Sequence, residues 1–180
     1  MVLGLGNPGA SYRATRHNLG FWVVERMARL AGVEFRGSAD AGELALTAVI
    51  EIAGRVVLLA KPLTHMNRAG RAAAELSRRH GIPATELMVV HDDADLGLGR
   101  LRVRRGGGPG GHNGVRSLID ELGRDDFMRV RLGIRGTDRD AGDLADYVLS
   151  EFSEAERPVA ERLAVLGGEA IESLLRDGLP

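Results

Sequence analysis

A chain of 180 residues, 44% hydrophobic and 27% charged, has the size of one domain and enough apolar side chains to bury a core unaided. The absence of cysteine excludes disulfides, thiolate nucleophiles and Cys-ligated zinc, in keeping with a reducing cytoplasm. The net charge of −1 hides an asymmetry: residues 140 to 180 hold ten acids and three bases, and residues 1 to 139 hold 21 bases and 15 acids.

Residues 1 to 5 read as a first strand running into the glycine-rich turn Gly6-Asn7-Pro8-Gly9, then an irregular polar stretch to Arg16. A helix is expected over 18 to 32, with Asn18 as N-cap, Trp22, Val23, Met27, Leu30 and Ala31 at helical spacing, and Gly32 as its stop. The runs 44 to 52 and 55 to 60 around Ala53-Gly54 predict a hairpin. A helix over 67 to 80 ends at Gly81 and Pro83. Next comes the wholly apolar run 87 to 90, a strand covered on both faces that ends in His91-Asp92-Asp93. In an open α/β sheet the carboxyl ends of strands are where ligands bind.

Residues 100 to 104 alternate strictly, so Leu101 and Val103 share one face and Arg100, Arg102 and Arg104 the other. A second glycine-rich loop, 106 to 111, leads to His112-Asn113-Gly114 and a helix through Leu122. Met128, Val130, Leu132 and Ile134 then alternate as a strand, and helices follow over about 142 to 149 and 154 to 176. The expected fold is α/β, a single domain over 1 to 180 with a twisted mixed β-sheet flanked by α-helices. No basic segment precedes an apolar one at the N-terminus and no 18 apolar residues run together, so a cytoplasmic protein with no membrane contact is expected. Nothing demands burial elsewhere, so a monomer without an obligate protein partner is expected.

Several motifs admit two readings. Gly4-Leu5-Gly6-Asn7-Pro8-Gly9 satisfies GxGxxG after a strand, but a dinucleotide site needs a helix opening inside the motif, and here a largely polar segment of eight residues intervenes. The glycines then serve a tight turn. His17 is either a surface or capping residue or a general base oriented by nearby polar groups. Asp92, Asp93 and Asp95 could hold a divalent ion at a strand end, or Asp92 alone could fix a histidine tautomer. In that second reading Asp93 and Asp95 are turn or surface residues. Asn67 and Asn113 sit where loops become helices, so each is an N-cap or an amide aimed at a substrate carbonyl. Nine arginines against four acids in residues 96 to 135 make either a solvated face or a phosphate-binding one.

Together these residues resemble bacterial peptidyl-tRNA hydrolases. Four blocks carry the resemblance: the glycine turn with Tyr12-Arg13-Ala14-Thr15-Arg16-His17-Asn18-Leu19-Gly20; Lys61-Pro62-Leu63-Thr64-His65-Met66-Asn67; Val90-His91-Asp92-Asp93; and Gly110-Gly111-His112-Asn113-Gly114. The resemblance spans nearly the whole chain. It implies a metal-independent, cofactor-free hydrolase that releases tRNA from peptidyl-tRNA during translation and ribosome rescue. It implies His17 and Asp92 as catalytic residues and Asn7, Tyr12, Asn67, His112 and Asn113 as substrate-binding ones. Arg100, Arg102, Arg104 and Arg105 would contact tRNA phosphates. His65, Ala69 and Pro109 depart from the family pattern, and a basic tail after Pro180 is missing. The alternative is a non-catalytic RNA-binding relative acting in RNA processing, against which stands the presence of all five polar groups.

Overall fold

The computed structural model describes residues 1–37, 39–136 and 143–178. Six strands form one mixed sheet: β1 (Val2–Gly4), β2 (Ala45–Ile52), β3 (Arg55–Pro62), β4 (Met88–Gly97), β5 (Leu101–Arg105) and β6 (Met128–Arg135), in the order β2-β3-β1-β4-β6-β5. The four inner strands are parallel, and each edge strand is antiparallel to its neighbour. The predicted hairpin is β2-β3. Its two-residue turn places Ala53 (φ 50°) and Gly54 (φ 75°) in the left-handed region, as a type I′ turn requires.

The period-two pattern of the strands supplies two apolar faces. Val2, Val90, Val130 and Leu132 pack under α1 (Leu19–Leu30) and α5 (Arg157–Asp177). Leu3, Leu5 and Val89 pack under α2 (Ala69–His80) and α3 (Asn113–Leu122). A short helix, α4 (Leu144–Leu149), precedes α5. Its expected start at Gly142 lies outside the described residues, as does Pro180.

Backbones touch at two points that govern the site. A β-carbon on Gly20 would collide with the carbonyls of Val90 and Leu5, so the head of α1 lies directly against β4 and β1. Likewise Gly70 lies against the carbonyl of Ser117, whose hydroxyl accepts the Gly70 N–H at 3.0 Å, which draws α2 onto α3. The apolar run at 87 to 90 proved to be only the start of a strand. β4 continues to Gly97 because β6 supplies partners beyond the point where β1 ends, with a register shift between Asp93 and Gly97.

Candidate active site

The pairing of β1 with β4 ends at Val90, whose carbonyl accepts the Leu5 N–H at 2.9 Å. Beyond it, the place of a strand beside β4 is taken by the 3₁₀ turn Arg16–Asn18 that opens α1. That turn brings buried His17 to buried Asp92, with Nδ1 2.9 Å from each carboxylate oxygen. With Nδ1–H donated to Asp92, Nε2 is the nitrogen left with a lone pair. His17 lines a cleft of about 320 Å³ that also contains Asp92, His112, Asn113, Arg104 and Arg131.

Asp92 has a second histidine partner. His112, the residue before α3, caps that helix: its Nδ1 accepts the N–H groups of Gly114 (3.1 Å) and Val115 (3.3 Å). Its proton therefore sits on Nε2, which donates to Asp92 Oδ1 at 3.0 Å. His91 completes the cluster, with its ring edge-on to His112 at 4.7 Å and its Nδ1–H donated to the Asp92 carbonyl at 2.7 Å. Burial, and then the nearby His112, push the His91 imidazole down to about 3, so it is neutral.

Burial by itself would raise the Asp92 carboxyl. The attraction of His17 and His112 and the hydrogen bonds from both outweigh it and hold the group below the usual carboxylate range. For His17 the same balance has the opposite sign: burial lowers it, and the charge and hydrogen bond of Asp92 raise it above its ordinary value of 6.5. The arrangement can hold an imidazolium that forms when His17 takes a proton. Among the described residues, His17, Asp92 and His112 are also the group close enough to share a metal ion. Here both nitrogens facing the carboxylate carry protons, that of His112 because the helix cap occupies its other nitrogen and that of His17 because its Nδ1 faces only carboxylate acceptors. A shared ion would have to displace them.

The amides are placed differently from one another. Asn113 is exposed at the rim of the His17 cleft. Asn67 is exposed on the 3₁₀ turn Met66–Arg68, which packs on the head of α3. Neither is an N-cap. Asn7 is buried and pins two loops together, its Oδ1 accepting the Met66 N–H at 2.8 Å. It lines a neighbouring depression shared with Lys61 and Phe21, and not the His17 cleft. Asn18, expected as an N-cap, instead grips the Asn7 backbone, accepting its N–H at 2.8 Å and donating to its carbonyl at 3.0 Å. Tyr12 is half-buried and meets exposed His65 edge-on at 6.2 Å, whereas Ala69 is buried in the core and Pro109 lines the cleft.

The arginines divide by strand register. Arg102 pairs with Arg131 and Arg104 with Arg129, so these four share one face of β5 and β6. Arg100 is exposed in the turn before β5. Arg105 leaves from the opposite face and donates to the carbonyls of Thr85 and Asp126, both at 3.3 Å. Asp93, expected in a turn or on the surface, is buried and paired with Arg131 at 2.5 Å. Only Asp95 is exposed. Arg129 was not anticipated: buried over the Phe127 ring, it donates to the carbonyls of Gly107, Gly108 and Asp125 and so holds the glycine-rich loop. The alternation of Arg129 and Arg131 was the available signal.

The family model described as peptidyl-tRNA hydrolase matches residues 1–180. The chain belongs to the peptidyl-tRNA hydrolase family. A peptidyl-tRNA hydrolase from Nocardia farcinica is 45% identical over 179 residues, covering 99% of this chain and 91% of that one. Another, from Geotalea daltonii, is 43% identical over 180 residues, covering 100% and 92%. The crystal structure of peptidyl-tRNA hydrolase from Acinetobacter baumannii superposes with a TM-score of 0.85 at 31% identity, covering 98% of this chain and 88% of that one. The peptidyl-tRNA hydrolase fold is therefore the α/β sheet described above. The GxGxxG pattern has a packing explanation in it, since Gly4 lies against the Gly20 carbonyl and Gly6 against the Phe21 ring.

Proposed function

We propose that this chain hydrolyses the ester between a peptide and the terminal adenosine of tRNA, with His17 as general base. The observation that carries the reading is the 2.9 Å contact between His17 Nδ1 and Asp92 in a cleft that also holds Asn113. His17 Nε2 takes a proton from water as the oxygen adds to the ester carbonyl. The ribose oxygen then leaves, taking the proton back from the imidazolium that Asp92 has stabilised. Asn113 and Asn67 are suited to hold the water and the developing oxyanion, and Asn7 and Tyr12 the substrate beside them. His112 acts on Asp92, fixing the carboxylate through Nε2–H. The exposed Arg100, Arg102 and Arg104 would meet tRNA phosphates, whereas Arg105, turned to the carbonyls of Thr85 and Asp126 on the other face, would contribute least.

No metal or cofactor enters this scheme, because an ester with an alkoxide leaving group needs only a base and oxyanion donors. A single sheet joining all six strands supports reading residues 1 to 180 as one domain, and the proposed scheme needs no second copy, so the chain is read as acting as a monomer. A cytoplasmic setting agrees with the substrate and with the lack, among the described residues, of a helix long and apolar enough to cross a membrane. The deciding assay is incubation with N-blocked aminoacyl-tRNA and measurement of free tRNA. Release supports the hydrolase, and binding without release would favour a non-catalytic RNA-binding protein.

A further inference from the structure

His17 and Asp92 come from separate elements, so their contact depends on what holds the turn Arg16–Asn18 against the sheet. Arg16 is itself buried, and its guanidinium is spread over four groups from a distant part of the chain. It forms a two-pronged pair with Glu156, Nη1 to Oε1 at 3.2 Å and Nη2 to Oε2 at 2.6 Å, across 140 residues of sequence. Its Nε donates to the Ser150 hydroxyl at 3.2 Å. The planar group lies 4.5 Å from the Tyr147 ring centre and 4.7 Å from that of Phe152. The Arg16 backbone N–H also donates to the Ser150 carbonyl at 2.9 Å.

The far side of this contact is anchored in turn. The Glu156 carboxylate accepts the Ser153 N–H at 3.0 Å while the Ser153 hydroxyl accepts the Glu156 N–H at 3.3 Å, a reciprocal pair of the capping-box kind closing the turn that leads into α5. The Tyr147 hydroxyl donates to the Ile134 carbonyl at 2.6 Å and accepts the Gly136 N–H at 2.8 Å. Ile134 belongs to β6, the strand on which Leu132 is the register partner of Asp92. The chain of contacts from His17 through Arg16 and Tyr147 thus returns to the strand beside Asp92.

We propose that Arg16 and Glu156, with Tyr147, are positioning residues for hydrolysis, forming a strut that fixes the His17 turn relative to Asp92. The proposal rests on the reading of His17 as the base. Only a rigid fork can meet a carboxylate, a hydroxyl and two ring faces at once, which makes lysine a poor substitute for Arg16. A small displacement of a base from its partner is enough to cost catalysis without altering substrate contacts made elsewhere.

The test compares Glu156→Gln, Arg16→Lys and Tyr147→Phe with His17→Ala on N-blocked aminoacyl-tRNA, each variant first shown to be folded at the assay temperature by its thermal unfolding curve. Tyr147→Phe keeps the ring beside Arg16 and removes only the hydroxyl, so it remains informative if either charge variant fails to fold. The expected result is a kcat at least tenfold lower for Glu156→Gln and Arg16→Lys and severalfold lower for Tyr147→Phe, with KM changed less than twofold. The acid limb of the rate profile should move to lower pH: among the described residues Asp92 and His112 meet His17 directly, with His91, Asp93, Arg104, Arg129, Arg131 and Asp143 lining the same cleft, and Asp92 is the group that raises His17, so a loosened turn weakens that contact. Folded variants with wild-type kcat and an unmoved acid limb, whatever their unfolding temperature, would overturn the strut while leaving His17 as base if His17→Ala is inactive. Full activity in His17→Ala would overturn both readings.

Discussion

His17 Nδ1 stands 2.9 Å from both oxygens of Asp92, a residue 75 positions further along the chain, and each partner is nearly sealed from water. In so buried a pair the carboxylate fixes the tautomer of the imidazole and raises its affinity for a proton. His17→Ala should therefore lower kcat by roughly 10²- to 10⁴-fold, with tRNA affinity largely retained because the proposed phosphate contacts lie on other residues. Single-turnover kinetics alongside filter binding would separate the two effects.

The pH dependence follows from the signs of the shifts. A base must be unprotonated, and Asp92 raises His17 above 6.5, so kcat/KM should fall below an apparent pKa higher than that value. In Asp92→Asn only burial remains to act on His17, and burial lowers it. The acid limb should then shift to lower pH while the plateau rate drops. A limb that stayed in place would mean that the titrating group is not His17.

His112 has two separable tasks, capping α3 and donating to Asp92. His112→Ala should lose both, destabilising the fold by about 1 kcal/mol as expected for a lost cap, and reduce kcat. Asparagine is a good N-cap, so His112→Asn should recover most of the stability and little of the rate. Thermal unfolding and kcat measured on both variants would show whether the tasks divide in this way.

Register predicts a contrast among the arginines. Arg102→Gln and Arg104→Gln, on the cleft-bearing face, should raise KM, leave kcat nearly unchanged, and each reduce the salt dependence of binding by about one phosphate contact. Arg105→Gln should have little effect on KM, because that guanidinium faces the carbonyls of Thr85 and Asp126. Equal effects at all three positions would contradict the placement.

Dialysis against EDTA should leave turnover unchanged. The His112 cap keeps a proton on the nitrogen that faces Asp92, so the cluster of His17, Asp92 and His112 is filled by hydrogen bonds. Loss of activity restored only by a divalent ion would show that an ion displaces them.

The strands, the hairpin turn and the set of polar residues were legible in the sequence, because each is recorded locally: alternation in Met128 to Ile134, Ala53-Gly54 between two β-rich runs, amides beside glycines. Motif order was enough to place the chain near a family and to single out His17 and Asp92. What local pattern does not encode is which side chains meet across the sheet. That Asp92 takes two histidines, that Asp93 is buried against Arg131, and that Asn18 grips Asn7 depend on close backbone approach at Gly20 and on the register of β4 with β6. The link from Arg16 to Glu156 lies further still from any local signal, spanning 140 residues. The sequence by itself determined which chemically capable groups the chain carries, since their chemistry belongs to the residue types. Tertiary structure alone decided which nitrogen carries each proton and which arginines share the cleft, because both depend on partners brought together by packing.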